Sequence, residues 1–225
     1  MISRDNALWL QFWRDRRTDF HQKTVNQLLT RFWPNLQPDL GSRVFVPLCG
    51  KSLDMIWLAK QGHEVIGVEL SPVAVKAFFR ENHLQPSKRR VGKFMLWKAG
   101  RISILCGDYF SLVSTDLGLI GTVYDRAALT ALPEDIRKLY VAHLRLLLPR
   151  NVKVFLLTAE DVEATESSDS ADSIDAEINS LFATDFDIDL MHVESVAGLE
   201  SEVSGHLSEL TEYKVYHLAS LAIIE

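Results

Sequence analysis

Basic residues are missing from more than a quarter of this chain. No Lys or Arg occurs between Val154 and Tyr213, a stretch holding sixteen Asp and Glu. The rest carries 24 Lys and Arg against fourteen acids, so a net charge of −6 hides a basic body and an acidic segment. A segment of that kind is a solvated surface or, at a substrate rim, a field that repels anions. The cations form no aromatic-interleaved stripe and the total is negative, which argues against a nucleic-acid partner. Cysteine is scarce too. Two residues without metal-ligand spacing fit a reducing cytoplasm better than a disulfide scaffold or a metal centre, and each reads as a small buried hydrophobe. No apolar run approaches the ~20 residues that span a bilayer, and Met1 to Asn6 lacks the apolar core of a secretory signal. No Ser–His–Asp set or carboxylate pair marks a hydrolase.

What remains is a soluble globular composition, 47% hydrophobic and 24% charged over 225 residues, enough for one domain with a sizeable core. The chain is organised around Arg43 to Gln61. Val44 to Val46 is a β-branched and aromatic run that reads as a strand. Leu48-Cys-Gly-Lys-Ser52 is a tight turn. Leu53, Ile56, Trp57 and Lys60 have helical spacing, with Ser52 as cap and Gly62 just past the end. A second strand, Glu64 to Glu69, ends on an acid. Gly50 and Glu69 stand 19 positions apart, close to the ~20-residue gap between a nucleotide-binding turn and the carboxylate that accepts from a ribose. The turn holds one glycine rather than three, so the dinucleotide fingerprint is absent, and an ordinary βαβ unit has the same spacing.

Further along, Ser71-Pro72 opens an apolar helix. Pro86 to Arg90 reads as a basic loop, and Phe94 to Lys98 with Ile102 to Cys106 as a hairpin around Ala99-Gly100. Asp108 and Tyr109 follow that strand; a carboxylate there can bond an adenine amino group and a tyrosine can stack on the base, or Asp108 can simply cap a helix. Leu119 to Asp125 is the next strand. Asp125-Arg126 sits at its carboxyl end, where open α/β sheets bind ligands, or is an ion pair pinning the loop. Pro133 to Leu148 is an amphipathic helix in which His143 reads as structural. Val152 to Thr158 is a buried parallel-type strand. Ala159 to Asp175 reads as an acidic loop, Ser173 to Ala183 as a helix, and Asp185–Val193 and Glu212–Ala222 as an edge hairpin. Residues 2–36 read as helical with a break near Arg16 to Asp19. Trp9 and Trp13 share one helix face. Lys51 reads as a partner for a carboxylate or an exposed cation, and Asp54 as a helix-dipole residue.

The letters add to the spacing. Pro47-Leu-Cys-Gly-Lys-Ser-Leu-Asp-Met55, Gly62-His-Glu-Val-Ile-Gly-Val-Glu-Leu-Ser71, Tyr124-Asp-Arg-Ala-Ala-Leu129, Tyr140-Val-Ala-His143 and the set Trp9, Trp13, Phe20 and His21 together resemble the thiopurine S-methyltransferase family. The likeness is close over residues 9–150 and looser beyond. It implies a Rossmann-like class I methyltransferase: one domain over 1–225, a mostly parallel seven-stranded sheet with helices on both faces, and an N-terminal helical lid over 1–36. It implies S-adenosyl-L-methionine (SAM) as cofactor, giving S-adenosyl-L-homocysteine, and a small-molecule acceptor, foremost a thiol or thione sulfur. The residues it implies for the cofactor are Trp9, Trp13, Phe20, Leu48, Gly50, Glu69, Asp108, Tyr109 and Arg126, with Asp125 and Arg126 at the chemistry. Aromatic faces suit a sulfonium. A cytoplasmic monomer, without membrane or nucleic-acid partner, belongs to the same expectation.

Two departures bear on the acceptor. The family's Gly-Pro-Pro-Phe segment falls on Ser168 to Ala171, and Val196 to Gly205 is acidic and small where the family offers Trp and basic residues. Residues 159–175 and 196–205 are therefore expected to form altered acceptor-side loops, favouring a neutral or cationic acceptor. Methylation at nitrogen or a carboxyl group, a non-catalytic SAM-binding interaction module, and an NAD-dependent oxidoreductase are the rival readings.

Overall fold

The computed structural model of the chain describes residues 4–15, 17, 21–39, 41–162, 173–197 and 210–221. Among them nine strands form one sheet. In chain order the elements are α1 (Arg4–Arg14), α2 (Gln27–Phe32), β1 (Arg43–Val46), α3 (Asp54–Lys60), β2 (Glu64–Glu69), α4 (Pro72–Glu81), β3 (Ser87–Val91), β4 (Phe94–Ala99), β5 (Ile102–Cys106), α5 (Ser114–Leu117), β6 (Thr122–Arg126), α6 (Glu134–Leu147), β7 (Lys153–Val162), α7 (Ile174–Phe182), β8 (Phe186–Ala197) and β9 (Leu210–Ser220). The strand order is β3-β4-β5-β2-β1-β6-β7-β9-β8. The five central strands, β5-β2-β1-β6-β7, run parallel. The strands on either flank pair antiparallel.

The parallel strands are apolar on both faces, as a sheet covered on both sides requires. Phe45, Val68 and Leu156 point into a core closed by Tyr140 and Leu144 of α6 and by Ile178 and Phe182 of α7. Val44, Val46 and Leu157 point into the opposite core, closed by Leu29 of α2, Met55 and Leu58 of α3, and Phe78 of α4. Local signals set the boundaries. Ser71 Oγ accepts from the Ala74 N–H with Pro72 in the first turn of α4, and Asn26 Oδ1 accepts from Leu28 and Leu29 at the start of α2.

The expected sheet needs correction in three places. Its strands number nine rather than seven. Pro86 to Arg90 is mostly not loop: Ser87–Val91 is edge strand β3, joined to β4 around Gly92 (φ +54°). Its residues are mostly exposed and charged, so the apolar alternation that reveals a strand is missing. The proposed acidic loop is shorter at both ends. Ala159 to Val162 prolong β7 against β9, and Ser173 caps α7; residues 163–172 lie outside the described set. Likewise Val196 and Ala197 belong to β8, while 198–209 lie outside it. At the N-terminus the helical stretch is two helices and a 3-10 turn, Trp33–Leu36.

β2 has one position where size is decisive. A Cβ on Gly67 would lie 2.6 Å from Cys49 Sγ and 3.3 Å from Met55 Sδ. The turn after β1 can therefore sit on β2 only if residue 67 has no side chain. Gly67→Ala is expected to cost about 1 to 3 kcal/mol in urea unfolding, and adding Cys49→Ala to recover most of it. No recovery in the double variant would place the strain elsewhere.

Candidate active site

Strand order reverses at β1, with β2 on one side and β6 on the other, and such a switch point is where α/β sheets open a crevice. A cavity of ≈ 210 Å³ lies there, walled by the turns after β1, β2, β5 and β6 and by α1 and His21. The turn after β1 has left-handed backbone at Leu48 (φ +46°) and Gly50 (φ +53°). It aims the Gly50 N–H at Glu69 Oε2, 2.9 Å away, while the Ser71 N–H donates to Oε1 at 2.6 Å. Glu69 is thus held by backbone from both flanking turns, with one edge toward the cavity. Burial pushes its pKa up to about 7, against the pull of these N–H donors. A Cβ on Gly50 would lie 3.3 Å from the Trp13 ring, so that indole sits close over the turn.

Trp9, Trp13, Leu48, Gly50, Glu69, Asp108, Tyr109 and Arg126 all line the cavity. Phe20 lies outside the described residues. Asp125 is not among the lining residues. Neighbouring residues of a strand point to opposite faces, so Asp125 and Arg126 neither pair nor share a pocket. Asp125 is buried, accepting from the Tyr140 hydroxyl at 2.6 Å and from the Ala128 and Leu129 N–H groups at 3.1 and 3.4 Å. Burial raises its pKa to about 6, opposed by those bonds. It braces the loop after β6, and its expected place at the chemistry is corrected accordingly.

Arg126 finds another carboxylate. Its Nε donates to Asp54 Oδ2 at 2.7 Å and its terminal nitrogen to Ser52 Oγ at 3.0 Å. The Tyr124 hydroxyl donates to the same Oδ2 at 2.8 Å, and the Asn26 N–H to Oδ1 at 2.8 Å. Burial pulls the Arg126 pKa down, and Tyr124 with Asp54 raise it by more, so the group stays a cation. Asp54 is wholly buried and is no mere helix-dipole residue. The signal was present: Asp54 stands four before Leu58, on the buried face of α3.

Tyr109 differs in another way. Its ring is buried against Tyr140, centroids 4.9 Å apart, and its hydroxyl donates to the Tyr140 carbonyl at 3.1 Å. The face expected to stack on a base is taken, and the exposed aromatic at the rim is Phe110. Asp108 caps the short turn Tyr109–Ser111, its Oδ1 accepting from the Phe110 N–H at 3.2 Å. Lys51, also in the wall, pairs with Glu81 at 2.8 Å. Burial, then Lys51, lowers the His21 pKa. His143 packs edge-on against Tyr109 and is structural. Among the described residues no group of three His, Cys, Asp or Glu would hold a metal.

The walls can bind a ligand with a ribose-like diol at Glu69 and a cation beside the Trp13 ring, and the cation Arg126 faces whatever lies next to it. A buried carboxylate already satisfied by backbone donors, next to an aromatic wall, fits S-adenosylmethionine by its chemistry. Comparisons with known proteins point the same way. The model of a family described as thiopurine S-methyltransferase matches residues 4–220. A thiopurine S-methyltransferase of Stutzerimonas stutzeri is 59% identical over 97% of this chain and 92% of its own length. One from Methylococcus capsulatus is 42% identical over 97% of this chain and 99% of its own. Among solved structures, a SAM-dependent methyltransferase from Anabaena variabilis superposes with a TM-score of 0.63 at 14% identity, covering 97% of this chain and 96% of that one. A 1,6-didemethyltoxoflavin-N1-methyltransferase of Burkholderia thailandensis, with S-adenosylhomocysteine bound, gives 0.56 at 15% identity over 93% and 86%. These two show the fold alone.

Proposed function

This chain belongs to the thiopurine S-methyltransferase family, and we propose that it transfers a methyl group from SAM to the sulfur of a small thiol or thione. The observation that carries the reading is Glu69, a buried carboxylate held by Gly50 and Ser71 in the wall of the cavity at the sheet's switch point. SAM supplies a methyl group already activated on a sulfonium, so the chain has to align, shield and orient rather than move many protons. Glu69 accepts from the ribose. Trp9 and Trp13 offer ring faces to the cation and keep water from it. Asp108 lies within the same wall for the base. Arg126, a fixed cation, favours the thiolate form of an acceptor and turns it toward the methyl carbon. In the proposed chemistry the sulfur lone pair forms the new S–C bond as the sulfonium–carbon bond breaks, and the thiol proton leaves to solvent.

The acceptor's charge is read from the balance of charge beyond the cavity, on β7, β9, α6 and α7. Lys214 is held by Asp175 at 2.5 Å and Glu212 at 3.0 Å, and Arg137 by Glu177 at 2.6 Å. Both cations there are spent on carboxylates, and Glu160 adds another acid, so the reading favours a neutral or cationic acceptor. No described helix is long and apolar enough to cross a membrane, and a monomer working in the cytoplasm completes the proposal.

Calorimetric titration with S-adenosylhomocysteine, followed by transfer from labelled SAM to an anionic aromatic thiol and to its neutral ester, tests the reading. We expect micromolar or tighter binding and faster methylation of the ester. Binding without turnover of any thiol or heterocycle would leave an interaction module. A strong preference for the anion would overturn the acceptor's charge.

A further inference from the structure

We infer that Asp54 is the positioning residue of this site: its buried carboxylate fixes the plane of the Arg126 guanidinium and ties the N-terminal segment to it. The inference rests on the methyltransferase reading. An arginine carries five N–H donors in a rigid fork. In Arg126 the Nε–H goes to Asp54 and one terminal N–H to Ser52. Two bonds along one edge of a planar group fix its plane. Arg126 also forms part of the cavity wall.

Asp54 has no exposed surface, and three of its four acceptor positions are taken. Oδ2 takes the Arg126 Nε and the Tyr124 hydroxyl, and Oδ1 takes the Asn26 N–H. Asn26 starts α2, five residues after His21 in the cavity wall. One carboxylate thus joins three parts of the chain, the segment before α2, the start of α3 and the end of β6, at the point where the acceptor would be turned. A buried carboxylate left without its cation is costly, and so is the cation without it; the pair therefore holds as a unit. A lysine at 126 could not be fixed in this way, since an ammonium has no plane to orient.

Asp54→Asn removes the charge that pairs with the guanidinium and leaves one acceptor oxygen where two stood, so Arg126 Nε and the Asn26 N–H can no longer both be served. With a thiopurine as acceptor we expect kcat/KM to fall about thirtyfold, mostly in kcat, while S-adenosylhomocysteine affinity stays within threefold. In an Arg126→Met background the same change should alter kcat/KM by less than twofold. Equal losses in both backgrounds would show a merely structural role and overturn the inference. A second readout needs no turnover. In protein labelled with 15N-arginine, the Arg126 Nε–H, identified by its absence in Arg126→Met, should exchange slowly with water, and quickly in Asp54→Asn. Fast exchange in the wild type would also overturn the inference. Slow exchange in a wild type that binds S-adenosylhomocysteine yet methylates no thiopurine supports the inference and sinks the acceptor reading alone. Should Asp54→Asn fail to fold, Ser52→Ala loosens the same guanidinium from its other nitrogen and is read by the same cycle and the same exchange measurement.

Discussion

Glu69→Gln is expected to weaken S-adenosylhomocysteine binding about a hundredfold at pH 8 while moving the melting temperature by only a few degrees. Both Glu69 oxygens already accept from backbone, Oε2 from Gly50 and Oε1 from Ser71, and each has a further lone pair for a ribose hydroxyl. A hydrogen bond to a charged acceptor contributes about 1.5 to 3 kcal/mol, and about 2.7 kcal/mol is a hundredfold in affinity. Glutamine has one acceptor and one donor at that place, so its amide nitrogen must face a backbone N–H, donor to donor. That mismatch costs about 1 to 3 kcal/mol. Against it, the substitution removes a charge whose burial has raised the carboxyl pKa to about 7, worth on the order of 3 kcal/mol above that pH. The two nearly cancel for stability but not for the ligand. A calorimetric loss below threefold would remove Glu69 from the cofactor site.

The same carboxylate sets opposite pH trends for binding and for stability. Glu69 must be ionised to accept from both ribose hydroxyls, so the affinity for S-adenosylhomocysteine is expected to fall about tenfold per pH unit below 7, reaching a hundredfold by pH 5. Stability runs the other way. The folded pKa lies above the unfolded one, so the native state keeps a proton that the unfolded chain has lost, and stability rises as pH falls through 7 toward the ordinary carboxylate range. Asp125, raised to about 6, adds the same sign slightly lower. Burial holds His21, His63 and His217 below their ordinary value, and they act in the opposite sense below about pH 6.5. Wild type and Glu69→Gln share all four of those groups. The difference between them therefore isolates Glu69: from pH 8 to pH 5 the wild type should gain about 2 to 3 kcal/mol on the variant. Parallel stability curves would mean that Glu69 is ionised throughout, and the affinity trend should then vanish as well.

Much of this was legible before any coordinates, and the reasons are specific. The strand–turn–helix–strand from Arg43 to Glu69 is written in short range, in an apolar strand, a tight turn, Gly62 past the helix and an acid at the next strand's end; the expected cap Ser52 is not one of these signals, since α3 begins after Leu53 with no side-chain cap. Its 19-residue spacing became the observed contact between Gly50 and Glu69. What escaped was decided by contacts between distant residues or by the absence of apolar pattern. Strand β3, Ser-Lys-Arg-Arg-Val, shows no alternation because it is an edge with charged side chains on both faces. The carboxylate serving Arg126 stands 72 positions earlier in the chain, not one; adjacency favoured Asp125, while the two-residue period of a strand forbade it. Tyr109 stood at the right place for a base, and only packing could show that Tyr140 had claimed its ring.

Strand β8 touches the sheet through β9 alone, because β9 lies between it and β7. The twelve residues from Phe186 to Ala197 thus leave the ribosome before the strand that gives them a place. A nascent chain halted anywhere between the two has β7 with a bare edge and β8 with no ladder at all, each open to proteases and to pairing with a neighbouring polyribosome product. A stop codon just ahead of Leu210 would accordingly remove two strands from the sheet, and a frameshift there should be cleared by cellular proteolysis rather than accumulate as a shortened enzyme.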